Sequence, residues 1–185
     1  FRKTVGSGTT SIGDNVCVVF CTGAGVAFNN AGSVDVQSGT LRLTSGGTSS
    51  GSCSGGGTLD VGGGTHTLSA ASSVTNSNTT FSGGTANLAG SYNVTGTTLV
   101  SGGTANLTGT LASIGTLLNI TSGTGNLSGS STSVASYTQS GGTLTGSGTV
   151  TVSGAASWSG GTMSGTGSTV TNGTLTLSGG ERLLT

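Results

Sequence analysis

Charged residues and proline are nearly missing from this sequence. It has no proline, and its four Lys or Arg and four Asp or Glu are 4% of 185 residues, against about 25% in an ordinary globular domain. The net charge is zero. Nucleic-acid binding needs clustered Lys and Arg, so we expect no nucleic-acid partner. No apolar run reaches the about 20 residues of a spanning helix, so we expect no membrane span.

Small residues fill the sequence instead, with 39 glycines among many Ser, Thr and Asn residues. Such a composition fits either a flexible coil or a repeat protein with a narrow core. Regularly placed Val, Leu, Ile and Thr favour strands, and a disordered tail usually carries net charge and proline. We therefore expect ordered β structure. The sequence begins at Phe1 without a signal peptide, which we interpret as a mature or fragmentary piece of an exported protein.

A glycine turn motif recurs along the chain. Complete and degenerate copies of Ser-Gly-Gly-Thr begin 18 to 24 residues apart, at Ser38, Gly62, Ser82, Ser101, Ser122, Ser140, Ser159 and Ser178. Glycine pairs suit turns that need a positive φ, and the alternating stretches between them indicate half-buried strands. The period is too short for ankyrin or tetratricopeptide units. It fits one coil of a β-helix, with two or three short strands joined by tight turns.

The repeat predicts an all-β, right-handed parallel β-solenoid of about nine coils, each of roughly 19–20 residues. We expect a single domain over 1–185, with a less regular first coil at 1–25, repeats at 26–180 and a terminal edge at 181–185. A sandwich or barrel of hairpins is the alternative. The regular period argues against it, because sandwich strands and loops vary in length.

Aligning the copies predicts three ladders of equivalent residues. The first is a threonine ladder: Thr65, Thr85, Thr104, Thr143 and Thr162. The second ladder contains Thr67, Asn87, Asn106, Thr145 and Ser164, and its asparagines should share side-chain hydrogen bonds. Asn126 lies one residue out of phase with this ladder. The third is an apolar core ladder: Val61, Phe81, Val100, Trp158 and Leu177.

Three segments, 28–41, 64–68 and 81–90, resemble a known family. The first reads FNNAGSVDVQSGTL and is similar to the repeat unit of very large bacterial β-strand repeat proteins, which resemble filamentous-hemagglutinin-like surface solenoids. The resemblance covers about residues 24–180 and is weakest near Cys53. It implies secretion, a right-handed parallel β-helix and a role as scaffold, stalk, adhesin or filament, without catalytic residues.

The sequence shows no recognisable catalytic, cofactor or metal site. His66 is the sole histidine, with Asp60 as the nearest acid, and we expect His66 to be an exposed strand residue. Residues 61–180 contain no Asp, Glu, Lys or Arg. Neither the acids of pectate-lyase-like enzymes nor the carboxylates of a calcium site can be built there. We therefore predict no enzyme activity, no cofactor and no metal.

Three cysteines are candidates for a disulfide: Cys17, Cys21 and Cys53. If the segment between Cys17 and Cys21 is extended, their Cα atoms lie about 13 Å apart, beyond the about 7 Å that a disulfide spans. Either one of them pairs with Cys53 and leaves a thiol over, or all are buried free thiols. The sequence leaves both alternatives open.

The predicted function is that of an extracellular or cell-surface structural protein. Open terminal coils favour head-to-tail self-association, or continuation in a longer repeat chain. Charges cluster at the ends, which marks a candidate end-to-end interface at Phe1, Arg2, Lys3, Glu181 and Arg182.

Two other functions are weaker. An adhesin or carbohydrate-binding module, with a glycan or host-surface ligand, would need an aromatic platform, but Tyr92, Tyr137 and Trp158 are few and scattered. An ice-binding protein would need aligned Thr-x-Thr pairs. Of six such pairs, only Thr65/Thr67 and Thr143/Thr145 share an offset from the motif, so threonine is interpreted as a strand former.

Overall fold

The chain folds as an all-β parallel solenoid, in a computed structural model that describes residues 1–13 and 25–185. Within these residues there are twenty strands and no helix. The strand pairings between successive coils are parallel, as predicted. The described residues thus contain no helix that could cross a membrane.

The strands follow one another coil by coil. A partial first coil carries β1 (Arg2–Lys3) and β2 (Thr9–Ile12), and the second carries β3 (Ser33–Val36), β4 (Thr40–Leu43) and β5 (Gly47–Ser49). The next four coils are β6 (Ser52–Leu68), β7 (Ser73–Leu88), β8 (Ser91–Val94) with β9 (Thr97–Leu107), and β10 (Thr110–Ile114) with β11 (Leu117–Leu127). The last three are β12 (Thr132–Val134), β13 (Ser136–Gln139) and β14 (Thr143–Thr145); β15 (Thr149–Val152), β16 (Ala156–Trp158) and β17 (Gly161–Met163); and β18 (Ser168–Thr171), β19 (Leu175–Leu177) and β20 (Arg182–Leu184).

Each complete coil contributes to three faces. Face A comprises β1, β3, β8, β10, β12, β15, β18 and the first parts of β6 and β7. Face B comprises β2, β4, β13, β16, β19, the middle of β6 and β7, and the first parts of β9 and β11. Face C comprises β5, β14, β17, β20 and the last parts of β6, β7, β9 and β11. About eight coils have strands on all three faces, close to the predicted nine.

Hydrogen bonding is continuous along faces B and C and broken on face A. Seventeen strands form one sheet, whereas β12, β15 and β18 form a separate three-stranded sheet. The break lies between β10 and β12. Faces B and C are therefore the most regular surfaces of the solenoid.

The glycine motif lies at the corner between faces B and C. Gly84 has a φ of 63°, and an added Cβ there would come within 2.2 Å of the Gly64 carbonyl oxygen in the preceding coil. Gly142, one of the equivalent positions, has a φ of 62°. Glycine is needed at this corner because the backbone is left-handed and the coils approach closely.

The predicted core ladder is aligned throughout, but only its first three members are buried. Val61, Phe81 and Val100 are aligned and buried, and the ladder continues through Ile120 and Gln139. Trp158 is only half-buried. Leu177 aligns with it but is 54% exposed, because β19 belongs to the last coil and is covered on one side only.

Candidate functional site

Charged side chains pair with one another within the first coils. Arg2 Nε lies 3.0 Å from Asp35 Oδ2, and Arg42 Nε lies 3.5 Å from Asp60 Oδ2. The Ser82 hydroxyl donates to Asp60 Oδ1 at 2.7 Å. In residues 1–13 and 25–185 there is no group of three or more His, Cys, Asp or Glu side chains that could hold a metal ion.

His66 is buried, at 4% exposure, so the prediction of an exposed residue is wrong. It lies on face C with its side chain inward, at the position that Ala86 occupies in the next coil. The Gly46 N–H donates to His66 Nε2 at 3.2 Å. Burial lowers the pKa of His66, since the charged ring would lose its hydration. The signal was in the sequence: the alternation Thr65-His66-Thr67-Leu68 points the histidine to the same side as Leu68.

The cysteines provide no reactive group among the described residues. Cys53 is buried in the core between Val34 and Val74 of the neighbouring coils. Burial raises the pKa of its thiol to about 12, so it is protonated at neutral pH. Cys17 and Cys21 lie outside the described residues, and the disulfide remains a prediction.

Tyr92, Tyr137 and Trp158 do not form a sugar-binding platform in the part of the chain that the structure describes. Tyr92 and Tyr137 are buried, and Trp158 is half-buried. The Tyr92 hydroxyl shares a hydrogen bond of 2.8 Å with Thr98 Oγ1, and the Tyr137 hydroxyl donates to Gln139 Oε1. Burial raises the pKa of Tyr92 to about 12. These tyrosines stabilise the core and cannot stack on a ligand.

The last coil exposes the side chains that should be its core. Leu175, Leu177 and Leu184 are 47%, 54% and 76% exposed. They align with Ala156, Trp158 and Met163 of the preceding coil, so their side chains point inward. No further coil of the described residues covers them on the side away from that preceding coil. The C-terminal end of the solenoid is thus an open apolar edge.

A cavity of about 420 Å³ lies inside these last coils. It opens at the uncovered end of the solenoid, where Thr169, Thr171, Leu184 and Thr185 take part in its lining. The apolar side chains of its lining are Leu144, Ala156, Trp158, Met163, Leu175 and Leu184. The cavity therefore belongs to the open outer end of these last coils.

The five residues of the predicted end-to-end interface lie in the first and last coils, but on different faces. Phe1, Arg2 and Lys3 run along face A, whereas Glu181 and Arg182 lie on face C. Arg2 is already paired within the chain, and Arg182 Nη1 donates to the Ser178 carbonyl at 2.8 Å. Coils stacked in the solenoid's own register would place β1 over β18, not over β20. The opposite charges would therefore not meet, and the interface remains a prediction.

The outer side of face C carries the two predicted polar ladders. Thr124 completes the first, so that six threonines align in consecutive coils: Thr65, Thr85, Thr104, Thr124, Thr143 and Thr162. In the second, Asn106 Nδ2 donates to Asn87 Oδ1 at 2.8 Å, and Asn126 Nδ2 donates to Asn106 Oδ1 at 3.2 Å. The predicted asparagine ladder is confirmed.

Asn126 is in phase, contrary to the prediction that it is shifted by one residue. The register between β9 and β11 shifts on both sides of Ser122, at the corner before face C. These register shifts compensate for the different spacing of the motif copy at Ser122, so that Thr124 and Asn126 align with Thr104 and Asn106. Counting from the motif could not show this, because the correction occurs within the motif itself.

Comparison with known proteins gives no family model, no curated protein and no solved structure that matches the chain.

Proposed function

We propose that this chain is a non-catalytic, extracellular structural protein, a solenoid segment of a filament, stalk or surface scaffold. Its C-terminal edge accepts a further coil, which is supplied either by a second copy of the chain or by the continuation of a longer repeat chain. The observation that carries the proposal is the 47–76% exposure of Leu175, Leu177 and Leu184 in the last coil. Burial of such side chains would stabilise the assembly by the hydrophobic effect.

Backbone geometry favours the same conclusion. β18, β19 and β20 each pair with a strand of the preceding coil, and their other edge faces outward. Open strand edges are templates for pairing with another chain. The parallel register of faces B and C would continue across such a junction without a change of geometry.

The first coil of a second copy offers a complementary surface. Phe1 is 53% exposed, and Ile12 and Phe28 are partly buried against the core. Stacked in register, the first coil would set its β1 over β18 and its β2 over β19. Apolar side chains then meet at both sides of the junction, so this contact depends on Leu177 more than on the terminal charges.

The extracellular location is supported by the resemblance of segment 28–41 to bacterial surface solenoids. The buried Tyr92 and Tyr137 weaken the alternative, a carbohydrate-binding module, because they cannot stack on a sugar. Binding of glycans by a chain that stays monomeric would favour that alternative.

Sedimentation velocity over a concentration series tests the proposal. We expect the wild-type chain to grow in mass with concentration and Leu177→Lys to remain monomeric. Thr176→Lys is the matched control, because the neighbouring Thr176 side chain points outward from the same strand and its variant should still associate. A wild-type chain that stays monomeric at every concentration would refute self-association, as would equal loss in both variants.

A further inference from the structure

Face C carries a two-dimensional lattice of small polar side chains on its outer side. The threonine column contains six threonines, from Thr65 to Thr162. The second column, two residues further along each strand, contains Thr67, Asn87, Asn106, Asn126, Thr145 and Ser164. Successive coils repeat about every 4.8 Å, and the two columns lie about 6.6–6.8 Å apart along the strand.

This lattice has no break in register. Between Thr65 and Met163 the pairings on face C run through six consecutive coils, and the register shifts fall at the corner, before Thr65 and before Thr124. Face A has a shift between Leu111 and Ser113. The outer row of face B is equally well paired, but its side chains differ in size and charge: Asp60, Thr80, Leu99, Asn119, Thr138 and Ser157.

The side chains of the lattice are held in place. Threonine is branched at Cβ and has few rotamers in a strand. The amides of Asn87, Asn106 and Asn126 are linked by hydrogen bonds of 2.8 and 3.2 Å along the column. Ser128 Oγ also donates to Asn126 Oδ1 at 2.6 Å. A ligand would meet an array that is already ordered, so little conformational entropy would be lost on binding.

The lattice is also uncharged, because residues 61–180 contain no Asp, Glu, Lys or Arg. It therefore offers no positive charge to neutralise a phosphate, a nucleic acid or an anionic surface. The ligand that fits must be neutral, must repeat in two directions and must exchange hydrogen bonds with hydroxyl and amide groups. We propose that the outer side of face C binds the surface of ice crystals, whose water molecules form such a neutral, two-dimensional lattice.

The two columns match ice better than a crystalline polysaccharide. Sugar rings are usually held by aromatic stacking, and none of the twelve side chains in the columns is aromatic. A threonine presents one methyl and one hydroxyl group, which are similar in size to a water molecule. Columns of this kind can order water in their gaps and join that water to a crystal plane.

The Thr-x-Thr pairs of the sequence do not by themselves reveal the lattice. Four of the six pairs lie outside the lattice; Thr97, for example, is on face B and Thr110 on face A. Thr169 and Thr171 align with the buried Val150 and Val152 and so point inward. The lattice nevertheless exists, because Asn and Ser replace the second threonine in four coils.

Thermal hysteresis, together with uptake of fluorescently labelled protein into a growing ice crystal, tests the inference. The wild-type 185-residue chain should depress the freezing point below the melting point and enter the ice. Thr104→Lys, in the middle of the threonine column, should lose most of both activities. Thr138→Lys is the matched control, because Thr138 is a half-buried strand threonine on the outer side of face B.

Thermal unfolding of each variant establishes that it is folded, and Thr143→Lys replaces Thr104→Lys if that variant does not fold. Leu177→Lys should retain the ice activity, which separates this inference from self-association. Three results would overturn it: no hysteresis and no ice uptake by the wild-type chain, equal loss in the face C and face B variants, or binding to crystalline cellulose or chitin without binding to ice.

Discussion

Asn106 donates a side-chain hydrogen bond to Asn87, at the equivalent position of the preceding coil, with 2.8 Å between Nδ2 and Oδ1. The bond joins two residues 19 positions apart, which is one coil of the solenoid. Since Asn126 donates in turn to Asn106, the amides form a chain that runs along the axis. The side chains thus repeat the parallel register that the backbone makes.

Replacing the donor in this chain should destabilise the solenoid. In Asn106→Asp the carboxylate keeps the shape of the amide but faces Asn87 Oδ1 with an acceptor. We expect a loss of about 1–3 kcal/mol in the free energy of unfolding, the usual cost of an unsatisfied, partly buried polar group. Urea denaturation at neutral pH measures it.

The control for this change is Asn93→Asp, because Asn93 is exposed on face A. It adds the same charge without removing an amide from the chain of asparagines, and its stability should be close to wild type. Equal destabilisation of the two variants would show that charge, not the loss of the ladder bond, is responsible.

Acidification should destabilise the protein through His66. Burial lowers the pKa of His66 in the folded state, whereas in the unfolded chain the pKa is about 6.5. The unfolded state therefore binds more protons, and stability is complete above about pH 6.5 and falls as the pH drops from there toward the folded-state pKa. Urea midpoints measured between about pH 8 and about pH 5 should decrease.

His66→Ala isolates this effect, because the next coils have Ala86 and Ala105 at the same inward position. The variant should lose the dependence on pH in that range, whatever its stability at high pH. A slope that persists in His66→Ala would assign the dependence to other groups.

A side chain at the corner between faces B and C should not be tolerated. Gly84→Ala forces a left-handed conformation at a φ of 63°, which costs about 1–2 kcal/mol for a residue with a Cβ. The new Cβ would also lie 2.2 Å from the Gly64 carbonyl oxygen. We expect a lower unfolding temperature than wild type by differential scanning calorimetry.

Gly32→Ala is the control for the glycine change. No atom lies within 4 Å of a Cβ at Gly32, so its stability should change by less than about 0.5 kcal/mol. Equal stability of Gly84→Ala and Gly32→Ala would contradict the close approach of successive coils at this corner.

The ladders of the solenoid could be predicted from the sequence because each coil has nearly the same length. Thr85 and Thr104 are 19 residues apart, and the structure aligns them as the motif indicates. The same alternation that places threonines outward places Leu88 and Leu107 inward. Period and alternation together specify most of faces B and C.

Other features depend on which neighbouring residues cover a side chain, and the period of the sequence does not specify this. Leu177 satisfies the core pattern but belongs to the last coil and is exposed. The cavity near Ala156 opens at the last coil, where the terminal residues Leu184 and Thr185 line it. The polar residue type of His66 predicts exposure, whereas the alternation of residues 65–68 places its side chain inward.

End-on assembly is tested most directly by cryo-electron microscopy of the concentrated wild-type chain. Copies that stack coil on coil should form unbranched filaments one solenoid wide, with strands perpendicular to the axis about 4.8 Å apart and a rise of about 40–45 Å per copy. Discrete single-copy particles at every concentration, or solenoids associated side by side, would contradict the account.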